Sequence, residues 1–319
     1  MKRRELSTLI IISAVLWAAA LITLGVFLLS GQELPFTLKN HTDSSEHPID
    51  FTPEARIDVI DVGQGSALLV KINGDYTKGI LIDAGETDYS DEVCRAINDV
   101  GLSSLDLVVI THPHSDHFGG AAEVLQRYQV SELWMPDVPL ELTPTGSTYQ
   151  KFLEVLEKSS CRVKLKSKPE TLKLSEDAYI SILNGFVYQP SNLNDLSLCL
   201  RVDIGDVSFL VTGDGESALE NTLLQNDANV DTDILIVGHH GSNTSSSHIF
   251  LNAASPIASV ISVGKDNDYG HPDSEVYARL AKFGNVYRTD INGTVTFFTD
   301  GRRIAVSANN VSDNFNAGR

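Results

Sequence analysis

The chain has 319 residues, of which 42 are Asp or Glu and 24 are Lys or Arg, for a formal charge of −18 at neutral pH. So large an acidic excess argues against a general nucleic-acid binder working through a broad basic face, because phosphate neutralisation dominates that affinity; a local cationic site could still override the average. The three cysteines, Cys94, Cys161 and Cys199, are far apart and show no C-x-x-C spacing, which argues against a zinc–thiolate site.

Lys2, Arg3, Arg4 and Glu5 form the first charged cluster, and no further charge appears until Glu33. The intervening "LSTLIIISAVLWAAALITLGVFLLS" is about 25 residues, enough as a helix to cross a hydrocarbon core of roughly 30 Å. The apolar region of a cleaved signal peptide spans only about 7–15 residues, and "FLLSGQEL" is a poor cleavage site. Residues 1–30 therefore read as a short cytoplasmic tip and a retained transmembrane helix. Positive charge on the short N-terminal side places that end in the cytoplasm and the remainder outside, as a single-pass protein of the cell membrane. Residues 31–54 are polar and Pro-punctuated, without a period of 2 or 3.6, and read as a tether. One large domain over 55–309 and a short tail over 310–319 complete the chain.

The domain opens with strands in "RIDVIDVGQG", "SALLVKING" and "KGILIDAG", each a short run of Val, Ile and Leu ended by Gly or Asn. A helix follows in "DYSDEVCRAINDVG", with Gly101 at its C-terminal cap. "SLDLVVITH" is a buried strand, "GGAAEVLQRYQ" a helix, "VSELWMPD" a strand and "STYQKFLEVLEKSSC" a helix. The second half is built alike, with strands "TLKLS", "AYISILNG", "LSLCLRVDIG" and "VSFLVTGDG", helix "ESALENTLLQ", strands "TDILIVGHHG" and "IASVISVG", and helix "HPDSEVYARLAKFG". "VYRTDING" and "TVTFFTDGRRIAVSA" are expected to close the chain as a hairpin. Strands in runs with interspersed helices imply an α/β fold of two mixed sheets packed together, with helices outside.

The chemistry concentrates at strand ends. "THPHSDHFGG" places His112, His114, Asp116 and His117 directly after a buried strand, where a loop on a rigid support can gather short ligands around a point. His112 and His114 can converge on one ion, and Asp116 and His117 on a second. Imidazole with carboxylate suits zinc, manganese or iron. "FLVTGDGE" adds Asp214 and Glu216, "ILIVGHHGS" adds His239 and His240, and "YGHPDS" adds His271. Six of the seven histidines beyond the tether lie in three of these four loops, and only His248 stands apart, as an exposed helix residue.

With these residues in view, "THPHSDHFGG" and "VTGD" resemble the metallo-β-lactamase fold of metal-dependent hydrolases. "DVGQG" (61–65), "LIDAG" (81–85), "GHHGSNTSSS" (238–247) and "YGHP" (269–272) further resemble the hydrolase domain of the DNA-uptake channel protein ComEC and its stand-alone relatives, over about residues 56 to 308. The resemblance implies an αββα sandwich with a dinuclear site along one edge. It implies His112, His114 and Asp214 around one metal, and Asp116, His117, Asp214 and one histidine of the His239–His240 pair around the other. His240 is the preferred ligand and His239 the preferred contact to a substrate phosphate. Asp83 would orient a histidine ring. The chain departs from the family in having no histidine from 118 to 238, where Asn194 and Asp195 are candidates instead, and in carrying Ser66 after "DVGQG".

Two divalent ions, Zn²⁺ or Mn²⁺, would activate water and stabilise charge on an attacked phosphoryl or acyl centre. Asp116 is placed to handle protons, and His271 to contact or protonate a leaving oxygen. Ser242 and its neighbours would offer hydroxyl and N–H donors, although the same run also suits a helix cap. Three readings follow: a membrane-anchored phosphodiesterase or nuclease with DNA among its candidate substrates, a metallo-hydrolase of a cell-wall phosphoester or acyl bond, and a non-catalytic partner of an uptake or envelope assembly. Choline recognition wants an aromatic cage, and Trp134 is the only tryptophan of the domain.

Overall fold

The computed structural model describes residues 49–74, 77–183, 185–187, 190–309 and 311–316; the anchor over 1–30 and the tether up to residue 48 lie outside the described residues. Among the described residues no helix is long and apolar enough to cross a membrane. The elements in chain order are β1 (Ala55–Val59), β2 (Leu68–Ile72), β3 (Lys78–Ile82), α1 (Ser90–Asp99), β4 (Ser104–Val109), α2 (Ser115–Phe118), α3 (Ala121–Arg127), β5 (Gln129–Pro136), α4 (Ser147–Lys158), β6 (Arg162–Lys166), β7 (Glu170–Lys173) and β8 (Ala178–Ile182). They continue with β9 (Leu200–Ile204), β10 (Val207–Val211), α5 (Ser217–Gln225), β11 (Ile234–Ile236), α6 (His248–Ala254), β12 (Ala258–Ile261), α7 (Ser274–Leu280), β13 (Asn285–Arg288), α8 (Thr289–Asn292), β14 (Val295–Thr299), β15 (Arg303–Ala308) and β16 (Val311–Asn316).

Among the described residues the strands form two sheets, a nine-stranded one ordered β16-β15-β14-β1-β2-β3-β4-β5-β6 and a seven-stranded one ordered β13-β12-β11-β10-β9-β8-β7. Strand alternation divides the buried side chains among three cores. Ile57, Val109 and Phe297 of the first sheet meet Ile180, Phe209 and Val260 of the second in the layer between the sheets. On the outer side of the first sheet, Leu81 and Val108 pack under Val93 and Ile97 of α1, Leu125 of α3 and Phe152 of α4. On the outer side of the second, Leu210 and Leu235 pack under Leu219 of α5, Phe250 of α6 and Val276 of α7. Leu107 and Val109 belong to the inner core and Val108 to the outer one, which is why this strand reads as an unbroken apolar run. Helix, sheet, sheet and helix make the expected αββα order.

Strands β3 to β6 are mutually parallel, as are β10 to β13. Loops leaving the carboxyl ends of such strands are where open α/β sheets hold ligands. The loop after β4 carries His112 and His114 and runs into α2, which carries Asp116 and His117; the loops after β10 and β11 carry Asp214 and the His239–His240 pair.

Three local expectations differ from the structure. "VYR" forms β13, which pairs with β12 in the second sheet, so the closing hairpin is β14–β15 in the first. The segment read as a tail holds β16, antiparallel to β15 from Arg303↔Asn316 to Ala308↔Val311. Strand β6 has no counterpart among the expected elements: "RVKLK" alternates cations with Val and Leu, and an edge strand exposed along four of its five residues has no need of an apolar run. Other local readings agree: Gly101, at φ 74, donates its N–H to Asn98 O after α1, and His248 is the exposed first residue of α6.

Candidate metal centre

Among the described residues two sets of ligand atoms converge, the atoms of each lying within 4.8 Å of one another. One set is His112, His114 and Asp214; the other is Asp116, His117, Asp214 and His240. Asp214 belongs to both. Its Oδ2 lies 3.8 Å from His112 Nε2, and its Oδ1 lies 3.1 Å from His117 Nε2 and 3.5 Å from His240 Nε2. His112 Nε2 and His114 Nδ1 are 3.0 Å apart, and His240 Nε2 lies 3.1 Å from Asp116 Oδ2.

The ring orientations follow from the groups behind them. Asp83, fully buried at the end of β3, accepts the Thr111 N–H at 2.7 Å, the Thr111 hydroxyl at 2.8 Å and His117 Nδ1–H at 2.7 Å. Since the Thr111 hydroxyl donates to Asp83, it can only accept from His112 Nδ1 at 3.2 Å. His240 Nδ1–H donates to the Ser262 carbonyl at 2.8 Å. With Nδ1 so engaged, His112, His117 and His240 all turn Nε2 toward the centre, the orientation in which such partners usually hold metal-bound imidazoles. The loop "DVGQG" braces the arrangement: Ser66 N–H donates to Asp116 O at 3.0 Å, and the Ser262 hydroxyl donates to Gly65 O at 2.8 Å.

Burial pushes the His112 and His114 imidazoles down, so both stay neutral and free to bind a cation. Burial alone would lower His117 and His240 as well, but the carboxylates of Asp214, Asp83 and Asp116 reverse this, raising His117 well above its usual value and His240 to about 10. The same pairs hold Asp116 and Asp214 below the ordinary carboxylate range against their burial. Cationic charge is therefore called for at the centre. His117 Nε2 is a buried atom with no hydrogen-bond partner, and the donor set of imidazole and carboxylate suits borderline divalent ions. These residues fit two such ions.

His239 stands outside both sets although it adjoins His240. Both residues have left-handed backbones, φ 50 and φ 53, and the turn sends the His239 ring to the rim. Its Nδ1 lies 3.0 Å from the Thr244 hydroxyl and 3.6 Å from Glu216 Oε1, and its Nε2 lies 3.4 Å from the Asn194 amide nitrogen. Asn194 also donates to Glu216 Oε1 at 3.2 Å, leaving its own Oδ1 buried without a partner. Buried Ser242 lies 3.2 Å from the Thr244 hydroxyl. His271 sits 5.8 Å ring to ring from His239, and Tyr269, 72% exposed, stacks on it at 5.8 Å. Asp273, not His271, caps α7, and Ser247 caps α6. Thr111, the Ser262 carbonyl and Tyr269 are not among the residues expected from sequence; Thr111, adjacent to His112 in "THPH", and Tyr269, in "YGHP", have a local signal.

Residues 60–265 match the family described as the metallo-beta-lactamase superfamily. ComE operon protein 3 of Bacillus subtilis is 29% identical over 262 residues, which cover 76% of this chain and 33% of that protein. Competence protein ComA of Neisseria gonorrhoeae is 31% identical over 247 residues, covering 76% and 32% respectively. The chain thus spans about a third of the length of these curated relatives. Among solved structures, CmlA, described as a diiron beta-hydroxylase from Streptomyces venezuelae, superposes with a TM-score of 0.52 over 78% of this chain and 55% of its own, at 14% identity, a likeness of fold alone. With its ligand loops at the carboxyl ends of the parallel strands and this family match over most of its domain, the chain belongs to the metallo-beta-lactamase superfamily of hydrolases and is related to the competence proteins.

Proposed function

We propose that the chain is a metal-dependent phosphodiesterase, with nucleic acid among its substrates, held at the outer face of the cell membrane by its N-terminal segment. The observation that carries this reading is the pair of ligand sets joined through Asp214. Divalent ions in such a site, Zn²⁺ or Mn²⁺, supply Lewis-acid stabilisation of an anionic phosphoryl centre and an activated water. The chain's own residues do the rest. Asp83, through His117 and Thr111, and the Ser262 carbonyl, through His240, fix the rings so that no reorganisation is needed at reaction. The Asp116 side chain, 24% exposed where Asp214 is 5% exposed, is the carboxylate able to pass a proton outward. His239, held between Thr244, Asn194 and Glu216, and His271 beside it face the rim, where a phosphate oxygen and a leaving oxygen would lie. Trp134 is fully buried and offers no cage for choline.

The test is hydrolysis of bis-p-nitrophenyl phosphate by the protein loaded with Mn²⁺ or Zn²⁺. The diester is expected to be cleaved, and His240→Ala to lower turnover by about a hundredfold or more, the scale of losing a main electrostatic contact. Inertness toward diesters with hydrolysis of a thioester or lactam would replace the substrate class and leave the fold family standing.

A further inference from the structure

The most basic stretch of this acidic chain has no part in the site just described. Residues 158–173 hold six of the chain's 24 Lys and Arg, namely Lys158, Arg162, Lys164, Lys166, Lys168 and Lys173, but only one of its 42 Asp and Glu, Glu170. These residues run from the end of α4 through β6 and β7, and those two strands are the terminal strands of the two sheets. Three residues join them, so both sheet edges open side by side on one flank. All six cations except Lys166 are exposed. Arg162 and Lys164 share the single Glu132 carboxylate, at 3.5 and 2.8 Å, and Lys166 pairs with Glu170. Lys158, Lys168 and Lys173 have no carboxylate partner among the described residues.

Register connects this flank to the metal centre. Val109 of β4 is level with Trp134 of β5, and Trp134 with Lys164 of β6, all running parallel. Lys164 is therefore level with the residue three before His112, two strand spacings away, about 10 Å. Lys166 and Lys168 leave the sheet at the same end as the ligand loop.

We propose that this double edge is a track for the backbone of single-stranded nucleic acid, delivering it to the centre; the inference rests on the phosphodiesterase reading and extends it. Lysines on an edge strand commonly serve only to prevent edge-to-edge pairing. Here charge complementarity goes further, since a quarter of the chain's basic residues, three of them without a carboxylate partner among the described residues, lie on one flank of an otherwise acidic chain. Unpaired backbone N–H groups along two edges add neutral donors of the kind that contact phosphate oxygens. The strip is about 10 Å wide, the spacing of packed sheets, and about 17 Å long for a five-residue strand, dimensions that take one backbone rather than two.

The test measures binding of a fluorescent 20-mer oligodeoxynucleotide to the full chain in EDTA, so that turnover plays no part, across a salt series. The triple variant Lys158→Ser/Lys168→Ser/Lys173→Ser leaves every ion pair named above in place, and circular dichroism verifies its fold. Loss of three phosphate contacts is expected to reduce the slope of log affinity against log salt by about 2 and to weaken binding at low salt by roughly tenfold or more. Lys282→Ser, away from the flank, is expected to bind like the parent. Unchanged affinity and slope in the triple variant would reduce these lysines to edge protection. Equal or tighter binding of the corresponding duplex would overturn the single-strand assignment. Diester hydrolysis is read separately, so a failed track and a failed phosphodiesterase give different results.

Discussion

At the scale of single residues, the centre is a set of buried charges that protons or metal ions can balance. Burial opposes protonation of His240, yet Asp214 and Asp116 raise it to about 10. A group whose folded value lies above its unfolded value of about 6.5 contributes stability that is full below about pH 6.5 and is lost as pH rises through about 10. The melting temperature of the metal-free protein is thus expected to fall between about pH 7 and 10, and metal loading to flatten that fall; circular dichroism melts across the range check it. Asp214→Ala is expected to lose most of both ions after reconstitution, read by elemental analysis, because Asp214 alone belongs to both sets. Asp83→Asn tests the shell behind. Asp83 has φ 59, a conformation asparagine tolerates, but an amide cannot accept from His117 and Thr111 as a carboxylate does. Metal affinity should drop about 10- to 100-fold by chelator competition. The convergence of the "HPHSDH" loop with Asp214 is legible in the sequence because all of these residues end buried strands. The role of Ser262 is not, since it acts through its backbone carbonyl; Tyr269 stands in the "YGHP" motif, but its stacking on His271 depends on the path of the loop, which the motif does not record.

At the scale of elements, apolar runs locate the central strands, since parallel strands buried on both faces must be apolar throughout. The edges escape such a reading, because β6 buries little and charged residues suffice there. Strand β13 takes a different partner from the one expected because sequence adjacency to β14 suggests a hairpin, while the short helix α8 between them carries the chain to the other sheet. The "DVGQG" loop makes a sharper prediction. A Cβ on Gly65 would lie 2.6 Å from Asp116 O, and Gly65 has φ +153. Gly65→Ala must therefore displace the loop from the segment carrying Asp116 and His117. We expect a loss of about 1–3 kcal/mol, typical of overpacking, seen in urea unfolding, together with reduced metal retention. A variant destabilised with its metal content intact would show that the loop supports the fold without positioning the ligands.

At the scale of the whole molecule, the basic N-terminus and apolar segment lead us to propose an outward-facing domain. Protease added to intact cells or protoplasts is then expected to digest it; digestion only after lysis would reverse the orientation. Strand order is the least legible feature. β1 lies between β2 and β14, with Ala55 opposite Thr299, and no local pattern can announce a partner so distant along the chain. That pairing sets a schedule for the nascent polypeptide. At synthesis rates of about 5–20 residues per second, β1 waits on the order of 10–50 s for the strand that covers its far side. Until then the middle of the nine-stranded sheet is an open edge beside an unfinished apolar layer, the kind of surface that recruits other chains. A message broken between the end of β2 and residue 295 would leave that edge permanently open, yielding a sticky fragment rather than a smaller working domain.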